Sequence, residues 1–296
     1  MGATAFAVLL PLALALVMFG LGLTLTTADF ARVLRYPRAA VIALVCQMIV
    51  LPALCLGMIY LFGLEGALAA GMLLLAASPG GASANLFSHI AGGNVALNIT
   101  LTAINSVLAV FTMPLVVALS YALFLEDEGS VGLRPEKFAQ VFAIVLVPVA
   151  IGMVVHRRFP EWSRRMRGAV KILSVVVLAL VIAAGVGSNL DTLTEHIGKL
   201  ASICLSFAVL SLAIGYFLPR LLRVETGQAI ASAMEIGVHN AALAIAVAAS
   251  VLHNDTMAVP GAVYGVLMNI PAAIAAYLLA RRARREQRVP VPSMAD

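Results

Sequence analysis

Charge is what this sequence most lacks. Asp, Glu, Lys and Arg make up only 11% of its 296 residues, whereas soluble domains run nearer a quarter. With 62% hydrophobic residues and a mean hydropathy of +1.04, that shortage excludes a water-soluble globular domain and indicates a polytopic membrane protein. Cysteine is scarce too. Cys46, Cys55 and Cys204 all lie inside apolar stretches at no metal-binding spacing, and they read as inert core thiols. The first 26 residues lack a basic leader, and their apolar run is too long for the ~7–15 residues of a signal peptide, so a retained span is expected there. The net charge of +5 comes from short basic loops, which topology explains without any nucleic-acid partner.

Apolar windows of about 20 residues predict nine spans, near 5–26, 39–62, 67–91, 94–124, 138–156, 170–188, 200–219, 227–251 and 258–280. The fourth is long enough to tilt or to project past the bilayer. Sixteen of the nineteen basic residues fall in odd-numbered loops or the tail, six of them in the fifth loop: Arg157, Arg158, Arg164, Arg165, Arg167 and Lys171. Arg134, Lys137 and Lys199 share their loops with acids such as Glu126, Asp127 and Glu195. The positive-inside rule puts the odd loops and the C-terminus in the cytoplasm and the N-terminus outside, as an odd span count requires. The expected location is the cell membrane, the inner one if the source is bacterial. Trp162, between arginines, reads as an interfacial anchor, and His253 and Asp255 as members of a solvated turn.

Glu235 is the one acid well inside an apolar stretch, in Met-Glu-Ile-Gly-Val-His-Asn. A carboxylate at bilayer depth costs roughly 2.5–3.5 kcal/mol on insertion scales, so it needs a partner and a task. Gly237 and Asn240 weaken the helix just after it. A second weak point, Ala-Ala-Ser-Pro-Gly-Gly-Ala-Ser-Ala-Asn at 76–85, interrupts the third span. Spans three and eight run in opposite directions, and two interrupted helices in such positions point to an inverted-repeat transporter with a midplane site. Asn98, Thr102, Asn105, Asn269 and Gln47 add polar side chains to neighbouring spans. Singly each reads as interhelical glue; with Glu235 they are the hard oxygen donors a sodium ion needs. His239, four residues after Glu235, is open to three readings: neutral hydrogen-bonding group, proton-sensitive switch or part of a cation site.

Met18-Phe-Gly-Leu-Gly-Leu-Thr-Leu, Pro79-Gly-Gly-Ala-Ser-Ala-Asn, Gly93-Asn-Val-Ala-Leu and Glu235-Ile-Gly-Val-His-Asn together resemble the bile acid:sodium symporter family, along residues 10 to 280. The resemblance implies an all-α membrane transporter with two crossing discontinuous helices, in a nine-span form beginning close to the Met18 motif. It implies one transporter unit with a core, near 39–124 and 200–280, and a panel, near 5–26 and 138–188. The first sodium site would comprise Ala84, Asn85, Asn98, Thr102 and Glu235. The second would use Gln47, Glu235, Ile236, Val238 and His239. Asn240 and Asn269, with Ala82 and Ser83, would face the substrate. Three positions depart from the pattern. Ser83 is one place early, leaving Ala84 before Asn85; His239 stands where the family commonly has glutamine, and imidazole is a poor sodium ligand; Met268 stands where some members have histidine.

The expected function is therefore sodium-coupled symport of a small organic anion, bile-acid-like or a smaller carboxylate, driven by one or two sodium ions, with a monomer favoured. A channel or sensor without coupled transport is the alternative, and the sequence shows no continuous polar ring to line a pore. An enzyme is not expected, because Glu235 and His239 have no second acid, metal triad or nucleophile beside them.

Overall fold

The computed structural model describes residues 32–125, 135–166 and 190–286, with shorter stretches within 15–28 and 168–176. All regular elements among these residues are helical. The helices are α1, Pro37–Phe62; α2, Gly66–Ala76; α3, Ala82–Ile90; α4, Val95–Phe124; and α5, Pro135–Arg158. Then come α6, Leu190–Leu221; α7, Thr226–Gly237; α8, Ala241–Ala246; α9, Asp255–Leu267; and α10, Asn269–Glu286.

Three stretches are long and apolar enough to cross a bilayer unbroken: Pro37–Phe62, His196–Leu221 and Asp255–Arg281. The protein is an all-α, multi-pass membrane protein. Large apolar side chains such as Leu61, Phe217 and Val266 cover the outside, where a soluble protein would place charge. The apolar windows at 67–91 and 227–251 each divide into two helices, α2 with α3 and α7 with α8. The windows at 5–26 and 170–188 lie largely outside the described residues.

The long fourth window is one bent pair, Val95–Ala109 and Phe111–Phe124, inclined by 54°. Pro114 explains the bend. Its ring removes the N–H that would reach residue 110 and crowds that carbonyl. In α1 the ladder loosens instead into a π-helical turn at Cys46–Val50, which carries Gln47. Such single π turns frequently sit at functional positions.

α6 packs along α7, and α2 along α9. At Gly71 of α2 an added Cβ would collide with the main chain of Met257 in α9. In lipid, where hydrophobicity does not draw helices together, such close backbone approach supplies the packing energy.

Candidate functional site: an acid at the crossing of two interrupted helices

The two breaks meet. Residues 77–81 part α2 from α3, and 238–240 part α7 from α8; across them Gly80 and His239 form an isolated antiparallel bridge. Gly81 N–H donates to Val238 O at 2.7 Å, and Asn240 N–H donates to Pro79 O at 2.7 Å. Each interruption satisfies backbone groups that the other exposes, which a lipid-embedded chain requires. The Asn240 N–H would cap Ile236 O in an unbroken helix, so its use by Pro79 frees that carbonyl from the helical ladder.

Glu235 lies at this crossing with none of its surface exposed. Thr102 Oγ1 donates to Glu235 Oε2 at 2.5 Å, and Asn105 Nδ2 donates to Oε1 at 3.0 Å. Asn98, one turn before Thr102, sends its Nδ2 to Ala231 O at 2.7 Å, one turn before Glu235. Asn98, Thr102 and Asn105 repeat at helical spacing and form one polar stripe of α4 facing α7. The opposite wall is main chain. A Cβ at Gly80 would fall on the Glu235 carboxyl group, so only glycine lets the bridging strand come this close.

Gln47 reaches the same break from α1. Its Nε2 donates to Ser78 O at 2.9 Å and to Ala76 O at 3.2 Å, holding the end of α2. Several main-chain carbonyls of the two breaks are thus already engaged: those of Ala76, Ser78, Pro79 and Val238. Among the described residues, the side-chain oxygens left buried without a partner are four amides, Gln47 Oε1, Asn85 Oδ1, Asn98 Oδ1 and Asn105 Oδ1, and four hydroxyls, those of Ser88, Thr112, Ser211 and Ser232. An unpaired buried amide oxygen costs about 1–3 kcal/mol, and four in one core call for an explanation. Neutral amide oxygens beside a single carboxylate are the hard donor set that suits an alkali cation. Among the described residues no group of three His, Cys, Asp or Glu gathers as a transition-metal site would need.

The other expected positions divide into two groups. Ala84, Ile236, Val238 and His239 are fully buried around the crossing. Ser83 is half-buried at the start of α3, where Ala82 opens the helix. Asn240, also half-buried, is the N-cap of α8 and accepts from Leu243 N–H at 3.1 Å. Asn269 Nδ2 turns back onto its own chain, donating to Gly265 O at 2.8 Å and Val266 O at 3.2 Å. Its described bonds therefore serve the joint between α9 and α10 rather than the crossing. Sequence reasoning counted Asn105 among the oxygen donors without assigning it to either sodium site, and left Tyr264 out altogether. Asn105 was legible as the next residue of the α4 stripe. Tyr264, which contacts His239 from α9, looks in sequence like any aromatic in an apolar helix.

The model of the sodium bile acid symporter family matches residues 11–196. The chain belongs to that family. Among its relatives, the "uncharacterized sodium-dependent transporter YocS" of Bacillus subtilis is 26% identical over 275 residues, 93% of this chain and 84% of that protein. The ileal sodium/bile acid cotransporter of Oryctolagus cuniculus is 26% identical over 234 residues, 79% of this chain and 67% of its own length. A rice protein, "Probable sodium/metabolite cotransporter BASS2, chloroplastic", is 28% identical over 255 residues. These cover 86% of this chain and 60% of the rice protein. The sodium bile acid symporter family is a family of transporters, not of enzymes.

Proposed function

We propose that this protein is a sodium-coupled symporter of a small organic anion, working by alternating access between a core, near 39–124 and 200–280, and a panel, near 5–26 and 138–188. One observation carries the reading. Among the described residues the one fully buried carboxylate, Glu235, sits where two interrupted helices join, in a core that holds amide oxygens without a described partner. The relatives named for sodium-dependent transport support it. Glu235, with Thr102, Asn98, Asn85 and the main chain at Ala84, would form the first sodium site. Gln47, Ile236, Val238 and His239 would form a second, sharing Glu235. The substrate anion would lie toward Asn240 and Asn269, near Ala82 and Ser83, where helix N-termini rather than a basic side chain receive its charge.

Purified protein in liposomes provides the test. A panel of carboxylates, bile acids and short keto and hydroxy acids is first screened for sodium-dependent thermal stabilisation, since a bound ligand stabilises by RT ln(1 + [L]/Kd). The stabilising compound should then accumulate chemically unchanged when sodium is high outside, and not when potassium replaces it. Sodium-independent flux down the compound's own gradient would indicate a channel and overturn the proposal.

A further inference from the structure

His239 stands at the bridge between the two breaks, fully buried, with Nδ1 3.0 Å from the Tyr264 hydroxyl. Tyr264, also fully buried, donates that hydroxyl to Gly237 O at 3.0 Å. Gly237 is the last residue of α7. In a continuous helix its carbonyl would accept from Ala241 N–H, but that group donates to His239 O at 3.0 Å instead. The phenol therefore replaces the missing helical donor. A phenol has one proton, and a carbonyl can only accept. With that proton committed to Gly237, the phenolic oxygen must accept from the imidazole. Nδ1 then carries hydrogen, and the neutral ring keeps its lone pair on Nε2. The ring cannot readily turn away, since Phe207 lies along one side with centroids 5.4 Å apart and Tyr264 meets it edge-on at 5.4 Å. Nε2 itself is buried and has no partner among the described residues, and the same holds for the amide oxygen of Gln47, which holds the facing break.

We infer that Tyr264 is a positioning residue. It locks His239 in the Nδ1–H tautomer so that the Nε2 lone pair, rather than an N–H, is presented at the crossing as a donor to the transported cation. This rests on the proposed sodium coupling, and it explains how an imidazole serves where an amide oxygen is expected. Both groups offer a lone pair, but imidazole does so in only one of its two neutral tautomers. Without Tyr264, half of the choices would aim a hydrogen at the cation.

The decisive measurement is nitrogen NMR of histidine-labelled protein in sodium-free nanodiscs, with the His239→Gln variant identifying the resonance. The unmutated protein should show a hydrogen-bearing Nδ1 and a bare Nε2, and Tyr264→Phe should mix the tautomers. A hydrogen-bearing Nε2 in the unmutated protein overturns the inference, and that result does not depend on Tyr264→Phe folding. The second measurement is the sodium concentration for half-maximal uptake. Tyr264→Phe should raise it about tenfold, the low end for losing a group that orients a ligand. In a His239→Gln background the same change should leave it within about twofold, because glutamine has no tautomer to select. An equal loss in both backgrounds would make Tyr264 merely structural and sink the inference. Uptake by the unmutated protein that ignores sodium would instead overturn the proposed coupling, while the tautomer measurement, made without sodium, still decides what Tyr264 does.

Discussion

Glu235 receives two side-chain donors from one stripe of α4, and both fix its orientation before any cation arrives. Such preorganisation removes part of the ordering cost of binding. Glu235→Gln keeps the volume and removes the charge, so sodium-driven uptake should fall to background while the protein still inserts and purifies. Unchanged sodium dependence in that variant would remove Glu235 from the site. Gly80→Ala tests the facing wall. Its methyl group would occupy the space of the carboxyl group, forcing either the bridge or the acid to move. Uptake should drop at least tenfold, and the melting temperature should fall as well. A fully active Gly80→Ala protein would show that the two breaks are not held this closely during transport.

Interrupted helices were legible from composition because proline and paired glycines weaken a helix wherever they fall. Which ligands the interruptions leave free was not legible. Free main-chain carbonyls are the natural expectation at a broken helix, yet Gln47 and the opposite break engage four of them, and side-chain amide oxygens are left over instead. That exchange depends on a contact between residues about 160 positions apart, which no local pattern encodes. Asn240 and Asn269, alike in sequence as amides near a break, do different local work. The first caps α8, and the second braces the start of α10. A lost N-cap costs about 0.5–2 kcal/mol. Asn240→Ala should therefore weaken substrate-dependent stabilisation more than sodium-dependent stabilisation, because it loosens the helix end proposed to receive the anion. The expectation for Asn269→Ala is the same, because its amide braces the start of α10. Equal loss of both ligands in either variant would make that asparagine a brace and nothing more.

For the whole molecule, hydropathy and charge arrangement made the fold class readable, because the bilayer penalises charge and unpaired backbone everywhere along its depth. Tyr264 was not readable. Its importance comes from the one carbonyl of Gly237 that it serves, and an apolar helix carrying a tyrosine looks the same with or without that carbonyl. Orientation is a property of the entire chain and is testable as such. Reporter fusions at 125–134 and at 157–167 should fall on opposite sides of the membrane, the second in the cytoplasm with its five arginines. A periplasmic second fusion would invert the assignment of both termini.

The joint between the two interruptions is made by atoms that mutation seldom reaches. Asn240 contributes its main-chain N–H, and Pro79 contributes a carbonyl, the one backbone group a proline retains. Replacing asparagine 240 by any of eighteen other residues leaves that donor in place. A side-chain scan of position 240 therefore reports on the cap of α8 and is blind to the bond beneath it. Proline alone deletes the donor, so the difference between the alanine and proline variants at 240 isolates the joint itself.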